Sequence, residues 1–268
     1  MEDEISVYKN LTTFREPLMR KIINSNEVPP ISIGLDAGCG IGAIAKMLSE
    51  KIGSNGQVIG LDLSKTFINY ARSNYQSKNL QFKEGDINSL PFQENTFDWL
   101  WSVDTVWPGP KEFGCPSEDP IPIVKEFHRV IKPNGSIFLL FWTSQKLLPG
   151  HPILEAELNT ASSAVAPFTE DMNPIHHVMN ATYWLAELGF KNIKVITYLQ
   201  NITAPLTQMD KSALLMLFQM FWSSAELEVD EKFWRAYKKI SDPNSSEYLL
   251  NNEHYHGFYT YTLFKGTK

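Results

Sequence analysis

The string Asp36-Ala37-Gly38-Cys39-Gly40-Ile41-Gly42 joins an apolar run, ISIGLDAG (31–38), to a helical rhythm that starts at Ile41. Glycines let the backbone approach a ligand closely, and a following helix offers free N–H groups and the positive end of its dipole. Such a turn suits an anionic group, and with Ala43 it also satisfies the dinucleotide pattern G-x-G-x-x-G/A, so the glycines alone do not choose the ligand. Three carboxylates narrow the choice. Asp36 lies two residues before Gly38, where a pyrophosphate would gain nothing from another anion but an ammonium group would. Asp62 closes the apolar run QVIGLDL (57–63), twenty residues after Gly42, a position from which a carboxylate accepts both ribose hydroxyls. Asp86, in Gly85-Asp86-Ile87 after a third run (79–86), could accept the amino group of an adenine. One Asp at a strand end is ordinarily a turn or cap residue. Three on one rim of a sheet argue for a ligand, because open parallel sheets bind ligands there.

The elements that must position these residues alternate along the chain. Leu11, Phe14, Leu18, Ile22 and Ile23 set a helix over residues 5–26, ended by NSNEVPP. Strands are expected at 31–38, 57–63, 79–86, 96–103 and 136–142. Helices fall at 41–53 and 64–77, the latter with Ser64 as N-cap, and over IVKEFHRVI, which KPNG stops. Buried strands alternating with helices argue a doubly wound, largely parallel sheet with right-handed crossovers. Beyond 142 the rhythm thins into a loop-rich insertion (143–180), a helix (181–190), a strand (191–200), a helical stretch (205–250) and a last strand (257–265). The expectation is a single α/β domain. It comprises an N-terminal helical segment (1–30), a ligand-binding core (31–142) and a helical cap drawn from 143–180 and 205–250.

Composition excludes several classes. Apolar residues make up 43% of the 268 and charged residues 20%, unlike a disordered chain. Two cysteines make neither a disulfide scaffold nor a Cys-rich zinc module, and they suit a reducing compartment. With 24 basic against 30 acidic residues, net −6, no basic face is signalled for nucleic acid. MEDEISVYKN lacks the n- and h-regions of a signal peptide, and the run ALLMLFQMFW (213–222) is too short to span a bilayer. A soluble, cytoplasmic enzyme is expected.

LDAGCGIG, VIGLDLS, EGDINSLPFQENTFDWLWS and EFHRVIKPNGSIFLLFW, in that order and spacing, resemble the motifs of class I S-adenosylmethionine-dependent methyltransferases. The resemblance is nearest to the small-molecule branch, with its type 11 methyltransferase domain, that includes ubiquinone and menaquinone biosynthesis enzymes. It covers 31–142 well, and 181–200 with 257–265 loosely. It implies a Rossmann-like, seven-stranded, mostly parallel sheet with an antiparallel last strand. It implies methyl transfer from S-adenosylmethionine to a small acceptor, releasing S-adenosylhomocysteine. By resemblance, Asp36, Gly38, the Cys39 backbone and Gly40 would hold the methionine moiety, and Asp62 the ribose. Leu63 would pack on the adenine, Asp86 and Ile87 would take its amino group and face, and Ser102 would lie beside the amino acid end. Arg15 resembles a basic residue that closes over the cofactor carboxylate in some relatives; its alternative is a solvated helix charge. Ile41 stands where the family commonly has Thr, and the loop 104–120 and the segment before the last strand are enlarged. The acceptor therefore stays open, as does any general base.

The remaining signals are weaker. His254 and His256 share a strand face, and His151, His176 and His177 lie in the insertion, where one could be a general base; no metal-ligand spacing occurs. Cys39 and Cys115 are read as free thiols, and Trp99 and Trp101 as core. Trp107 and Trp142 follow strand ends and are candidate pocket walls. In 213–222, Leu214, Leu217, Phe218 and Phe221 form one helical stripe and Met216 with Met220 another, so the outer faces require cover. Neighbouring helices, a partner subunit in a homodimer, or an apolar substrate would supply it. The substrate reading makes Trp107, Trp142, Met216 and Phe218 walls of a partly apolar acceptor pocket. A nicotinamide-dependent oxidoreductase, favoured by GCGIGA, and a non-catalytic binding module are the rival functions.

Overall fold

The computed structural model describes residues 2–268. Its centre is one seven-stranded sheet in the order β3-β2-β1-β4-β5-β7-β6. The strands are β1 (Ile33–Ala37), β2 (Gln57–Asp62), β3 (Leu80–Glu84), β4 (Phe97–Val103), β5 (Ile131–Lys146), β6 (Lys191–Thr203) and β7 (His256–Thr267). β1 to β5 are mutually parallel, with Asp36 opposite both Gly60 of β2 and Trp101 of β4. β7 runs against both neighbours. Asn134 and Gly135 exchange backbone hydrogen bonds with Lys268, the hydroxyls of Thr197 and Thr262 meet, and Ala204 N–H reaches Tyr255 O. The chain order reverses between β1 and β4, which is where such sheets bind ligands, outside the carboxyl ends of the strands.

The chain divides into two compact units: the chain up to Trp142 with Asp171–Tyr198 and Tyr261–Lys268, and Thr143–Glu170 with Leu199–Thr260. The boundaries fall inside β5, β6 and β7. Within the first unit, α1 (Glu2–Ser25) packs on α2 (Ala43–Ile52), while α2 and α3 (Lys65–Asn74) pack on β2 and β3. α4 (Ile121–Val130) packs against α7 (Ala181–Glu187). The core is Trp99 and Trp101 on β4, both fully buried. Trp101 stacks on Phe138, and Trp99 lies where a Cβ on Gly34 would be, 2.0 Å from its ring. That contact is why β1 carries glycine in an apolar run.

The second unit holds α5 (Pro152–Leu158), α6 (Ser162–Val165), α8 (Gln208–Trp222), α9 (Ala225–Glu228) and α10 (Glu231–Ser241). Thr207 and Asp210 close a reciprocal capping box at the start of α8. The core of this unit is aromatic: Phe218 and Trp222 of α8 meet Tyr237 of α10.

Three local boundaries differ from the sequence reading. α2 starts at Ala43 rather than Ile41, because Gly40 and Gly42 have φ of 53° and 90° and keep the chain in a turn. KPNG is part of β5, forming an irregularity in which Asn134 takes φ 64° and Trp99 pairs with Ser136. β3 stops at Glu84, so Asp86 lies in the loop beyond it.

Candidate functional site

The turn after β1 is held by its own backbone. Gly38 N–H and Cys39 N–H both donate to Leu61 O on β2, at 2.8 and 2.9 Å. These two amides are spent on the fold. A ligand at Gly38 or Cys39 would therefore meet carbonyl oxygens, not N–H donors. Gly38, Gly40 and Gly42 all have positive φ, but for different neighbours. A Cβ at Gly38 would strike the Thr105 side chain at 2.2 Å, and one at Gly42 would strike Ala71 and Phe82 at 2.7 Å. A Cβ at Gly40 would meet nothing within 4 Å. The turn is thus packed from behind at Gly42 and open at Gly40.

The acidic residues differ sharply in setting. Asp36 is 1% exposed, and its Oδ2 is buried without a hydrogen-bond partner. Burial, and then the nearby Asp62 charge, push the Asp36 carboxyl up to about 8. Asp62 is the fastening of the turn: Oδ2 accepts Gly40 N–H and Oδ1 accepts Ser64 N–H, both at 2.8 Å. Ser64 in turn caps α3 by accepting Phe67 N–H. Burial raises the Asp62 pKa, and these backbone donors oppose it. Cys39 is buried between the two carboxylates; burial and their charge hold its thiol protonated, and both cysteines are free. Asp86 is exposed, and its Oδ1 accepts the backbone and side-chain N–H groups of Asn88. Leu63 is 70% exposed beside Asp62, whereas Ile87 is 7% exposed.

The end of β4 and the loop beyond it carry Ser102, which the sequence reading named, and Thr105 and Asp104, which it passed over. Ser102 is 2% exposed and donates to Ala37 O at 3.0 Å, so its hydroxyl ties β4 to β1. Thr105 lies over the glycine turn, with Oγ1 3.3 Å from Gly38 O. Asp104 takes φ 49°, in the left-handed region that Asp tolerates better than most residues. Its Oδ2 accepts from Arg15 at 2.8 Å and from the Tyr261 hydroxyl at 2.5 Å; its Oδ1 accepts Trp142 N–H at 2.8 Å. The Trp107 side chain also hydrogen-bonds to it. Arg15 is therefore engaged by Asp104 and Tyr261. It is not the solvated helix charge that stood as its alternative. The signal available in the sequence was the acid after the fourth strand, DTVW, standing in line with the other three strand-end acids.

The four candidate pocket residues fall in different units. Trp107 and Trp142 belong to the first, and both are half-buried. Trp107 meets Phe141 edge-on at 5.8 Å, and Trp142 meets Tyr261 at 5.7 Å. Met216 and Phe218 belong to the second. Phe218 is 1% exposed and packed at 5.2 Å against Trp222, so its ring is core and not an open wall. Met216 is half-buried, and Met220, expected to be covered, is 51% exposed. His176 and His177 have local partners. His176 lies 3.6 Å from Asp119, and His177 Nδ1 accepts Met179 N–H. Among the described residues no three His, Cys, Asp or Glu side chains are gathered for a metal.

A family model described as a methyltransferase domain matches residues 35–139. A demethylmenaquinone methyltransferase of Staphylococcus epidermidis is 35% identical over 143 residues, covering 52% of this chain and 56% of that protein. The chain spans about half the length of the curated relatives it matches. Among solved structures, the YcgJ protein of Bacillus subtilis has a TM-score of 0.56 at 18% identity, covering 93% of this chain and 97% of that one. A protein of Bacillus halodurans described as a putative methyltransferase has a TM-score of 0.52 at 15% identity, covering 93% and 98%. These two share the fold. The glycine turn, Asp36, Asp62, Asp86 and Asp104 all lie inside the segment, residues 35–139, that the methyltransferase-domain model matches.

Proposed function

We propose that the protein transfers a methyl group from S-adenosylmethionine to a small, partly apolar acceptor. The observation that carries the donor reading is the buried, unpartnered Oδ2 of Asp36 beside a turn that is open at Gly40. A buried carboxylate oxygen left without a partner is costly unless a cationic group completes it, as the donor's ammonium group would. The bound donor supplies a methyl group already activated by its sulfonium leaving group. The chain's own residues then have to bind, orient and exclude water. Asp36 takes the ammonium and Asp62 the ribose hydroxyls. The exposed Leu63 side chain covers one face of the adenine, and Ile87 with the remaining oxygen of Asp86 takes its other face and amino group. Ser102 supports the amino acid end indirectly, through the Ala37 carbonyl.

The acceptor reading rests on Trp107 and Trp142, two half-buried aromatic side chains; Trp107 lies in the loop after β4, and Trp142, expected beyond a strand end, lies within the longer β5. Relatives named demethylmenaquinone methyltransferases make a naphthoquinol the first acceptor class to try. Net charge −6 favours a small molecule over nucleic acid, and among the described residues no helix is long and apolar enough to cross a membrane. The nicotinamide rival requires a pyrophosphate next to Asp36, a second anion beside a buried carboxyl. The test is direct. Calorimetry should show S-adenosylhomocysteine binding and no NADH binding, and labelled methyl should pass from S-adenosylmethionine to 1,4-dihydroxynaphthalene. NADH binding without S-adenosylhomocysteine binding would overturn the donor. Donor binding with no transfer to this diol or to other small aromatic hydroxyl compounds would favour the non-catalytic module.

A further inference from the structure

The most connected carboxylate in the first unit is not one that the donor needs. Asp104 stands one residue beyond β4, next to the Thr105 that packs on the glycine turn, in a left-handed backbone conformation. Non-glycine residues held there often mark functional positions. Its two oxygens gather four donors from four parts of the chain: Arg15 of α1, Tyr261 of β7, the Trp142 backbone on β5, and the Trp107 side chain in the loop after β4. Two of these are the aromatic residues assigned above to the acceptor. The grip on Trp142 is double, because the Tyr261 ring, itself hydrogen-bonded to Asp104, lies edge-on to the Trp142 ring at 5.7 Å. The indole of Trp107 is fixed from two sides, by Asp104 and by Phe141.

We propose that Asp104 is a positioning residue for the acceptor, its carboxylate setting Trp107 and Trp142 as one wall against which an apolar ring lies. The proposal rests on the acceptor reading above. Arg15 balances the charge of this part-buried carboxylate, which gives that residue a role independent of the donor's carboxylate. Aromatic side chains hold a flat ligand only if their planes are fixed, and hydrogen bonds at the indole nitrogen and the main chain fix them at the ends away from the ring faces.

The experiment compares wild type with Asp104→Leu, Asp104→Asn and Trp107→Phe. S-adenosylhomocysteine affinity is measured by calorimetry, and KM and kcat with 1,4-dihydroxynaphthalene by labelled-methyl transfer. The expected result is a KM for the diol raised at least about tenfold in Asp104→Leu, with donor affinity unchanged within about twofold. Asp104→Asn, which keeps one accepting oxygen, recovers part of the loss. Should Asp104→Leu fail to fold, Trp107→Phe carries the test: it keeps a ring and removes only the N–H, and the same rise in KM with unchanged donor affinity is expected. Unchanged acceptor kinetics in folded Asp104→Leu, or in Trp107→Phe where the former does not fold, overturns the proposal. So does a parallel loss of donor and acceptor binding, which marks a purely structural tie. Wild-type protein that binds S-adenosylhomocysteine but neither binds nor methylates the diol removes the acceptor reading, and the proposal with it.

Discussion

Asp36 and Asp62 divide one task unevenly. Asp36 is pushed from 3.8 to about 8, first by burial and then by Asp62, so the ligand-free protein carries a proton there at neutral pH. The unfolded chain gives up that proton near 3.8. The group therefore favours folding most at acid pH, and the advantage is lost as pH rises from 3.8 through about 8. An ammonium-bearing ligand reverses the preference by stabilising the carboxylate. Binding of S-adenosylhomocysteine at pH 7 is expected to release close to one proton, and its affinity to rise with pH by up to about tenfold per unit below the folded pKa. Calorimetry in buffers of different ionisation enthalpy measures the proton directly; Asp36→Asn should release none, and a wild-type count of zero would remove the assignment. Asp62 should matter more for affinity. The two charge-assisted bonds to ribose proposed for it would be worth about 1.5–3 kcal/mol each, so Asp62→Ala should weaken binding at least about a hundredfold. Because the same carboxylate fastens Gly40 and Ser64, this variant should also melt earlier. Asp86 is exposed and partly occupied by Asn88, so Asp86→Ala should cost less. A larger loss at 86 than at 62 would mean the two subsites are misranked.

At the scale of elements, periodicity was an effective guide wherever burial is one-sided. Phe14, Leu18, Ile22 and Ile23 are all buried on α1, and the strand cores at β1, β2 and β4 fall inside the expected spans. Periodicity does not report backbone conformation. The start of α2 and the irregularity at KPNG both turn on positive φ at Gly42 and Asn134, which apolar spacing cannot register. In the sequence, Arg15 on a helix over residues 5–26 that ends at the break NSNEVPP reads as a hinged element, mobile without ligand and ordered with it. The interactions of α1 argue otherwise. Arg15 is paired with Asp104 and Tyr261, Arg20 with Glu50, and Asn26, just after the helix, with Tyr198 and Lys265. Hydrogen exchange over residues 14–25 is therefore expected to be slow without ligand and little changed by S-adenosylhomocysteine. Fast exchange in the free protein that slows on ligand addition would restore the hinge.

Over the whole molecule, the glycine turn with its strand-end acids and the Asp104 cluster were unequally legible. Four motifs within residues 31–142 mark the turn and the acids at successive strand ends, the rim where open parallel sheets bind ligands. The Asp104 cluster left almost no linear trace: Arg15 and Tyr261 stand 89 and 157 positions from it. Reading α8 as apolar on nearly all sides was accurate in composition but did not separate core from pocket. Phe218 belongs to the aromatic core of the second unit with Trp222 and Tyr237, Met216 is half-buried, and Met220 is half-exposed. The three positions therefore make a graded test of burial on α8. Phe218→Lys would bury an unpaired charge and should destabilise by several kcal/mol or prevent folding. Met220→Lys should fold and melt as wild type, because its side chain can keep the ammonium in water. Met216→Lys, at a half-buried position, should fall between the two. Thermal melting of the three variants checks the order. A Met220→Lys protein that melts as early as Phe218→Lys would show that the outer face of α8 is covered after all.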